Sequence, residues 1–178
     1  FAKNSTMLRA LSKARFGYFH APHYGKAFQA GPQTRKELAT HKIRTIFNIA
    51  GPLLNPLRVK RQIIGVYNKK YMTPIIETLK KVGTKRALVF NGADGLDEIA
   101  TYQTTQITEL NGNGIRHYMI HPGQFGLKQI SNRALRGGSV QKNKRIAINL
   151  LKGKDRTPRL DIVLLNSAAI LYVSGIAN

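Results

Sequence analysis

Three of the chain's eight acidic residues lie close together, as Asp94, Asp97 and Glu98. The chain also carries 29 Lys and Arg, which gives a formal charge of +21 over 178 residues. A charge of this size repels itself in the folded state unless an anionic partner neutralises it. A single tight acidic cluster in so basic a chain indicates a metal-using fold that has been turned to a new use.

The basic residues could bind a polyanion, and the phosphate backbone of a nucleic acid is the commonest one. They form short clusters along the whole chain, which indicates a folded body with a basic surface. Since no RNA-recognition signature is present, we expect contacts led by shape and phosphate, with little reading of bases. The residues predicted to bind RNA are Arg58, Lys60, Arg61, Lys69, Lys70, Lys80, Lys81, Arg133, Arg136, Lys142, Lys144, Arg145, Lys152, Lys154 and Arg156.

The other reactive residue types offer little further chemistry. The five histidines are scattered, and the neighbours His20 and His23 have no third metal ligand at a suitable spacing. No defensible Ser-His-Asp set is present. The chain has no cysteine, which excludes disulfides, Cys-zinc sites and thiol catalysis. No uninterrupted apolar run reaches the roughly 18 residues of a membrane helix. A basic amphipathic membrane-surface protein is a further alternative, but the basic positions follow no single helical stripe, so we expect no membrane partner.

Alternating strands and helices must position these residues, and the alternation indicates an α/β domain. We predict strands over residues 63–67 and 86–90, the second leading directly into the acidic cluster. A helix is predicted over 74–82 between them, with Thr73 as its N-cap and Pro74 at its first position.

Further along the chain, residues 104–110 and 116–120 flank Asn111-Gly112-Asn113-Gly114, a strong signal for a hairpin turn. Helices are predicted over 139–153 and 160–174. The second of these helices is expected to be largely buried, because it is a run of small and aliphatic residues.

The first part of the chain is harder to assign. Residues 5–14 have the spacing of a short amphipathic helix, although their basic, acid-poor composition also suits an organellar transit peptide. Residues 16–30 are rich in aromatic and turn residues, with helix expected near 25–30. Residues 31–44 are polar and basic, and two prolines make 51–56 a rigid loop.

Seven ordered blocks resemble the C-terminal portion of the anthranilate phosphoribosyltransferase family, over about residues 8–178. Agreement in order along the chain is more specific than one short pattern. The blocks are IRTIFN (43–48), GPLLNP (51–56), QIIGVY (62–67), RALVFNGADGLDEIA (86–100), FGL (125–127), LRGG (135–138) and LLNSAA (164–169).

The resemblance implies an α/β fold, a sheet flanked by helices of the nucleoside-phosphorylase-like phosphoribosyltransferase type, lacking its N-terminal part. Residues 1–178 would form a single partial domain. In that family the reaction joins phosphoribosyl pyrophosphate to anthranilate in tryptophan synthesis, and magnesium bridges the pyrophosphate. The Asp-Glu pair that helps to hold the metal matches Asp97-Glu98, and hard carboxylate oxygens suit Mg²⁺. An arginine that contacts anthranilate matches Arg35.

Departures from the family pattern indicate lost catalysis. No GTGGD-like segment is present, and the backbone N–H groups of such a loop cradle phosphates. Gly25-Lys26 stands where the family usually has His-Pro, and Asn91 where it usually has His. Asp97-Glu98 then become a vestigial metal site, or an inherited loop whose acids cap a helix or pair with nearby lysines. Arg35 becomes a vestigial substrate contact, or a surface or RNA-facing arginine.

Three functional hypotheses remain. The first is a non-catalytic, cofactor-free RNA-binding protein of a mitochondrial ribosome, with ribosomal RNA and neighbouring ribosomal proteins as partners. The second is the C-terminal part of a split or truncated anthranilate phosphoribosyltransferase, working with an N-terminal part that carries the phosphate loop. The third is an assembly scaffold that binds protein alone. The +21 charge favours the first, because tryptophan synthesis gives no reason for it.

Overall fold

The computed structural model describes residues 4–19, 31–128 and 131–177. The chain divides into two compact units, Phe1–Val59 and Lys60–Asn178. The prediction that residues 1–178 form a single partial domain stays a prediction. None of the described helices is long and apolar enough to cross a membrane.

The first unit is helical in its described parts. Helix α1 spans Asn4–Ala14 and confirms the predicted N-terminal helix. Helix α2 spans Pro32–Thr40 and was not predicted, because its polar residues carry no apolar periodicity. Proline in the first turn supplies a helical φ, which explains where α2 begins. Helix α3, Phe47–Ala50, and a 3₁₀ turn, Pro52–Leu54, follow; the helix expected near 25–30 lies outside the described residues.

The second unit is built on a four-stranded sheet with the order β1-β2-β3-β4. Strand β1 runs parallel to β2, whereas β2, β3 and β4 pair antiparallel. The predicted strands and the hairpin turn are confirmed, although β1 begins and ends two residues earlier than the predicted 63–67 and β2 is two residues longer than predicted. The strands are Arg61–Gly65 (β1), Arg86–Gly92 (β2), Thr105–Asn111 (β3) and Gly114–Ile120 (β4).

Helix α4, Met72–Lys81, is the crossover that a parallel pair of strands requires. Its buried residues recur at helical spacing and pack towards β2 and β3: Met72, Ile75, Ile76 and Leu79. The predicted Thr73 cap is wrong. A 3₁₀ turn, Lys69–Tyr71, precedes the helix, and the Asn68 side chain accepts a hydrogen bond from the Lys70 N–H at 3.0 Å. The chain is therefore already helical where the cap was expected.

Helices α5, Val140–Leu151, and α6, Pro158–Ser174, follow the sheet in the chain. Three α6 residues pack with Leu88, Phe90 and Ile107 of the sheet, namely Leu165, Ala169 and Val173. These three are the buried residues of α6, so the expectation of a largely buried helix is wrong. With α4 packed on the sheet as well, the predicted sheet flanked by helices is confirmed.

Candidate functional site

The segments that follow β1 and β2 meet at one edge of the sheet, because parallel strands end at the same edge. Crevices at the carboxyl ends of parallel strands are the usual ligand sites of α/β sheets. The Val66 N–H donates to the Phe90 carbonyl at 2.9 Å and extends the pairing to this edge. Residues 93–104, here called the acidic loop, begin at the same place. The fold thus carries the acidic cluster to an edge suited to ligands.

Gly65, the last residue of β1, lets the acidic loop approach the sheet. A Cβ atom on this residue would lie 1.7 Å from the Asp97 carbonyl oxygen, so a larger side chain has no room. Gly95 in the loop has a φ of +87°, a left-handed conformation that favours glycine. The path of the loop past β1 therefore depends on glycine at both positions.

Side chains from distant segments anchor the end of the acidic-loop region. The Asn166 amide of α6 accepts from the Ile99 N–H at 2.9 Å and donates to the Ile99 carbonyl at 3.0 Å. One residue further, the Ala100 N–H donates to Thr105 Oγ1 at 2.9 Å. These contacts fix the backbone directly after Asp97 and Glu98. Asn166 was not predicted; the signal available in the sequence was an amide within an otherwise apolar helix.

Asp94 has a structural role in the loop. Its carboxylate accepts hydrogen bonds from the Tyr102 hydroxyl at 2.7 Å, from the Leu96 N–H at 3.2 Å and from the Gln103 amide. Burial by itself would raise the pKa of Asp94, but the hydrogen bonds, led by that of Tyr102, outweigh it and lower the pKa. Asp94 is therefore ionised and fully engaged in holding the loop closed.

Asp97 and Glu98 are exposed and differ from Asp94 in having no such partners. Neither carboxylate hydrogen-bonds or pairs with a cation among residues 4–19, 31–128 and 131–177. Partial burial of its carboxyl, followed by the charge of Asp97, raises the pKa of Glu98. The alternative in which these acids cap a helix or pair with lysines is not observed in the described part of the chain.

The donor set at Asp97 and Glu98 suits a hard cation that keeps other ligands. In the described residues no group of three His, Cys, Asp or Glu side chains could hold a metal ion. Mg²⁺ commonly takes one or two carboxylates and completes its shell with water and substrate phosphates, so a third protein ligand is not required. The two adjacent carboxylates also repel each other, and a cation would relieve this repulsion. His20 and His23 lie outside the described residues.

A cleft of about 350 Å³ opens beside the acidic loop. Asp94, Gly95 and Tyr102 line one part of it, and Leu135 and Arg136 line another. Arg136 is exposed, and its backbone carbonyl accepts a hydrogen bond from Arg159 at 3.1 Å. A guanidinium in this position could bind a phosphate group in a bidentate manner. The structure thus brings Arg136, which was predicted to bind RNA, to the acidic loop.

The remaining predicted site residues lie elsewhere. Arg35 falls in α2, and nothing is described of its side chain; Gly25-Lys26 lie outside the described residues. Asn91, which stands in place of the family's histidine, is buried and donates to the Val66 carbonyl at 2.6 Å, so it ties the ends of β2 and β1 together.

All fifteen residues predicted to bind RNA are exposed, as a basic surface requires. Arg61 also has a structural role, since its Nη1 donates to the Val173 carbonyl of α6 at 2.8 Å. The fifteen residues occur on several elements, from the start of β1 and the end of α4 to α5 and the segment after it. Exposure shows that these residues can meet solvent and does not identify a ligand.

One further acid, Glu109 of β3, was not singled out by the sequence analysis. It is buried, with 1% of its surface exposed. Its carboxylate accepts from Arg116 Nη2 at 3.0 Å, the Tyr172 hydroxyl at 2.9 Å and the Tyr118 hydroxyl at 3.2 Å. Burial and the charge of Glu109 raise the pKa of Tyr118, which keeps its hydroxyl proton available for donation. The Arg86 guanidinium lies 4.0 Å above the Tyr172 ring. Sequence alone gave no signal that these side chains meet.

Comparison with known proteins gives one consistent result. The family described as "Glycosyl transferase family, a/b domain" matches residues 1–178. The anthranilate phosphoribosyltransferase of Clostridium kluyveri is 40% identical over 171 residues, which cover 96% of this chain and 50% of the relative. That of Brucella suis is 42% identical over 174 residues, covering 98% and 50%.

Solved structures agree with the sequence matches. The anthranilate phosphoribosyltransferase of Thermus thermophilus superposes with a TM-score of 0.84 at 32% identity, covering 96% of this chain and 49% of that one. The Saccharomyces cerevisiae enzyme in complex with PRPP and Mg gives 0.69 at 27% identity, covering 81% and 42%. This chain therefore spans about half the length of the relatives it matches, and it matches their C-terminal half.

These relatives contradict the first hypothesis, an RNA-binding protein of a mitochondrial ribosome. Over nearly the whole chain they are phosphoribosyltransferases, and nothing in residues 4–19, 31–128 and 131–177 indicates a role in binding ribosomal RNA. The error came from inferring a ligand from the net charge of the chain. Net charge bears on solubility and unspecific attraction, whereas a function has to be argued from a site. The mitochondrial location was inferred from the ribosomal role and loses its support with it.

Proposed function

This chain belongs to the glycosyl transferase family, a/b domain, and we propose that it is the C-terminal part of an anthranilate phosphoribosyltransferase. The observation that carries the proposal is the unpartnered Asp97-Glu98 pair at the carboxyl edge of the parallel strands. Two exposed acids that repel each other add no stability to an anchored loop, so their presence favours a role in binding a ligand. The name of the relatives supplies the substrate class, a phosphoribosyl pyrophosphate and anthranilate.

The proposed task of this half is to hold the metal and pyrophosphate. Asp97 and Glu98 would bind Mg²⁺ through their carboxylate oxygens, leaving the other ligand positions to substrate phosphates and water. Bound magnesium would neutralise charge on the pyrophosphate, which is the leaving group. Support comes from the yeast relative, whose structure holds PRPP and Mg. Arg136 lines the neighbouring cleft and would bind a phosphate oxygen.

The surrounding residues would keep the carboxylates in place without touching the substrate. Asp94 closes the loop through Tyr102, and Asn166 fixes the backbone at Ile99. Gly65 gives the loop room beside β1. Positioning of this kind reduces the entropy lost when metal and substrate bind. Arg35 is proposed as the anthranilate contact on the resemblance alone.

A complete site would also need a phosphate-binding loop. The 178 residues contain no GTGGD-like segment, and the relatives have about twice this length. We therefore assign the phosphate loop to the other half of the fold, supplied by a further segment or a separate chain. This arrangement also explains why anthranilate transfer by residues 1–178 alone is not expected.

The proposal is tested by titrating the chain with Mg²⁺ and then assaying it with its missing half. Calorimetry should detect Mg²⁺ binding that is lost in the double variant Asp97→Asn, Glu98→Gln and retained in Glu77→Gln, a matched exposed acid on α4. Co-expression with the N-terminal half of the Clostridium kluyveri relative should then give consumption of anthranilate that depends on PRPP. Equal Mg²⁺ binding by the wild type and the double variant, together with no consumption, would overturn the proposal.

A further inference from the structure

Deamidation, a covalent modification that needs no enzyme, has candidate positions at the three Asn-Gly pairs of the chain. The backbone nitrogen of the glycine attacks the asparagine Cγ, and a cyclic succinimide forms as the Cγ–Nδ2 bond breaks and ammonia leaves with the proton of that nitrogen. Water then opens the ring on either side and gives aspartate or isoaspartate. Glycine favours the attack because it has no Cβ. The pairs are Asn91-Gly92, Asn111-Gly112 and Asn113-Gly114.

The first pair is held by the fold. Asn91 is buried, and its side-chain amide, the group that must leave, donates to the Val66 carbonyl at 2.6 Å. The Gly92 nitrogen, the group that must attack, donates its proton to the Leu96 carbonyl at 2.8 Å. Reaction at Asn91 therefore requires strand β2 to open, and strands of a protein core open with a free energy close to that of global unfolding.

The other two pairs form the turn between β3 and β4, whose four residues are all exposed. Gly112 has a φ of +59°, a left-handed conformation typical of two-residue hairpin turns. Its N–H, which would attack Asn111, donates to the Lys85 carbonyl at 2.9 Å. Asn111 is therefore accessible to water but faces a nitrogen that is already engaged with a neighbouring segment.

Asn113 is the least restrained of the three asparagines. Its side chain makes no hydrogen bond in the described part of the chain. The attacking nitrogen would be that of Gly114, which closes the ladder opposite Asn111 at the end of an edge strand, where pairing frays first. The net charge of +21 also favours the attack, because negative charge develops during ring closure. We propose that Asn113 is a site of spontaneous deamidation in the folded protein, reacting ahead of Asn111 and Asn91.

The modification would alter the turn and leave the acidic loop untouched. Both products replace a neutral amide with a carboxylate, and isoaspartate also adds a methylene group to the main chain. A two-residue turn matches the twist of its strands, so a longer backbone should loosen the closing pair of Asn111 and Gly114. The turn follows β3 whereas the acidic loop precedes it, so the two lie at opposite ends of this strand. The inference is therefore independent of the proposed metal site.

The test is incubation of the purified, folded chain in mildly alkaline buffer, followed by peptide mass spectrometry that separates aspartate from isoaspartate. We expect both products first at Asn113, less at Asn111 and none at Asn91. In denaturing urea the rate at Asn91 should rise at least about tenfold, because β2 no longer has to open.

A second test is the variant Gly114→Ala, which blocks the attacking nitrogen. A Cβ atom on Gly114 would lie 3.6 Å from its nearest neighbour, the Asn111 carbonyl oxygen, so alanine fits without strain. The added methyl group should slow deamidation of Asn113 several-fold, because it hinders the approach of the nitrogen. Asn111 in the same variant is the matched control, since the glycine that follows it is unchanged.

Four results would each overturn the inference. Absence of product at Asn113 in the folded chain, with product in urea, would show that the turn protects it. Equal rates at Asn113 and Asn91 in the folded chain would show that the fold does not set the order. Faster reaction at Asn111 would show that the hydrogen bond to Lys85 gives no protection. An unchanged rate at Asn113 in Gly114→Ala would exclude attack by the Gly114 nitrogen.

Discussion

Glu109 and the Asp97-Glu98 pair are acids of one small basic unit, but their surroundings are opposite. Glu109 is 1% exposed, and Arg116, Tyr118 and Tyr172 donate hydrogen bonds to its carboxylate. Asp97 and Glu98 are exposed and receive no such bond within the described residues. An abundance of lysine and arginine therefore does not by itself neutralise every acid.

The difference separates an acid that stabilises the fold from acids available to a ligand. A charge taken out of water is tolerated only when it is paired and hydrogen-bonded, so Glu109 requires its partners. The exposed pair keeps contact with water, and partial burial of the Glu98 carboxyl, followed by the charge of Asp97, raises the pKa of Glu98. Removing the charge of Glu109 should therefore destabilise the fold, whereas removing the charge of Glu98 should slightly stabilise it.

The largest effect is expected for Glu109→Ala. Arg86 Nη2 lies 4.0 Å from the Glu109 carboxylate, and this variant leaves it without that acid and the Tyr118 and Tyr172 hydroxyls without their acceptor. We therefore expect a loss of about 3–5 kcal/mol in the free energy of unfolding. Glu109→Gln keeps an acceptor and should lose less. Urea denaturation checks both, with Glu77→Ala as the exposed control. Destabilisation of all three variants by the same amount would show that the burial of Glu109 is irrelevant.

An intermediate effect is expected for Asn166→Ala, which removes both hydrogen bonds to Ile99. The buried Ile99 backbone would lose its partners, at a cost of about 1–3 kcal/mol. Because the acidic loop would also lose its anchor, Mg²⁺ affinity should fall although no metal ligand has changed. Ser167→Ala, the exposed neighbour, is the control for both readouts. Unchanged amide hydrogen exchange across residues 93–104 in Asn166→Ala would contradict the anchoring role.

The smallest effect, of opposite sign, is expected for Glu98→Gln. An acid whose folded-state pKa is raised lowers stability above that pKa, because folding then opposes its ionisation. The variant should therefore be more stable than the wild type at pH 7, by less than about 0.5 kcal/mol for a surface substitution. The gain should shrink as the pH falls below the raised pKa of folded Glu98, and it should vanish below the usual pKa of 4.5, where Glu98 is protonated in both the folded and the unfolded chain. Thermal melts across this pH range, with and without Mg²⁺, check the sign; Mg²⁺ should stabilise the wild type more than the variant.

Prediction from the sequence succeeded where the local pattern is strong, and it failed where that pattern is weak or where the partners are distant. Strand β2 and the Asn-Gly hairpin followed from runs of apolar residues and turn chemistry within a few positions. Helix α2 was missed since its polar sequence has no apolar stripe, and the Thr73 cap was misplaced because Asn68 starts the turn earlier. The RNA-binding hypothesis failed for a related reason, in that composition reports the sum of the surface and not the arrangement of a site.

The sequence by itself determined the α/β class, the order of the strands along the chain and the position of the acidic cluster after β2. The tertiary structure alone decided which acids are engaged. Asn166 lies 67 residues after the Ile99 backbone that it holds, and Tyr172 lies 63 residues after Glu109. Hydrogen bonds act over about 3 Å whatever the separation along the chain. Only the folded chain therefore distinguishes the saturated Glu109 from the unpartnered Asp97 and Glu98.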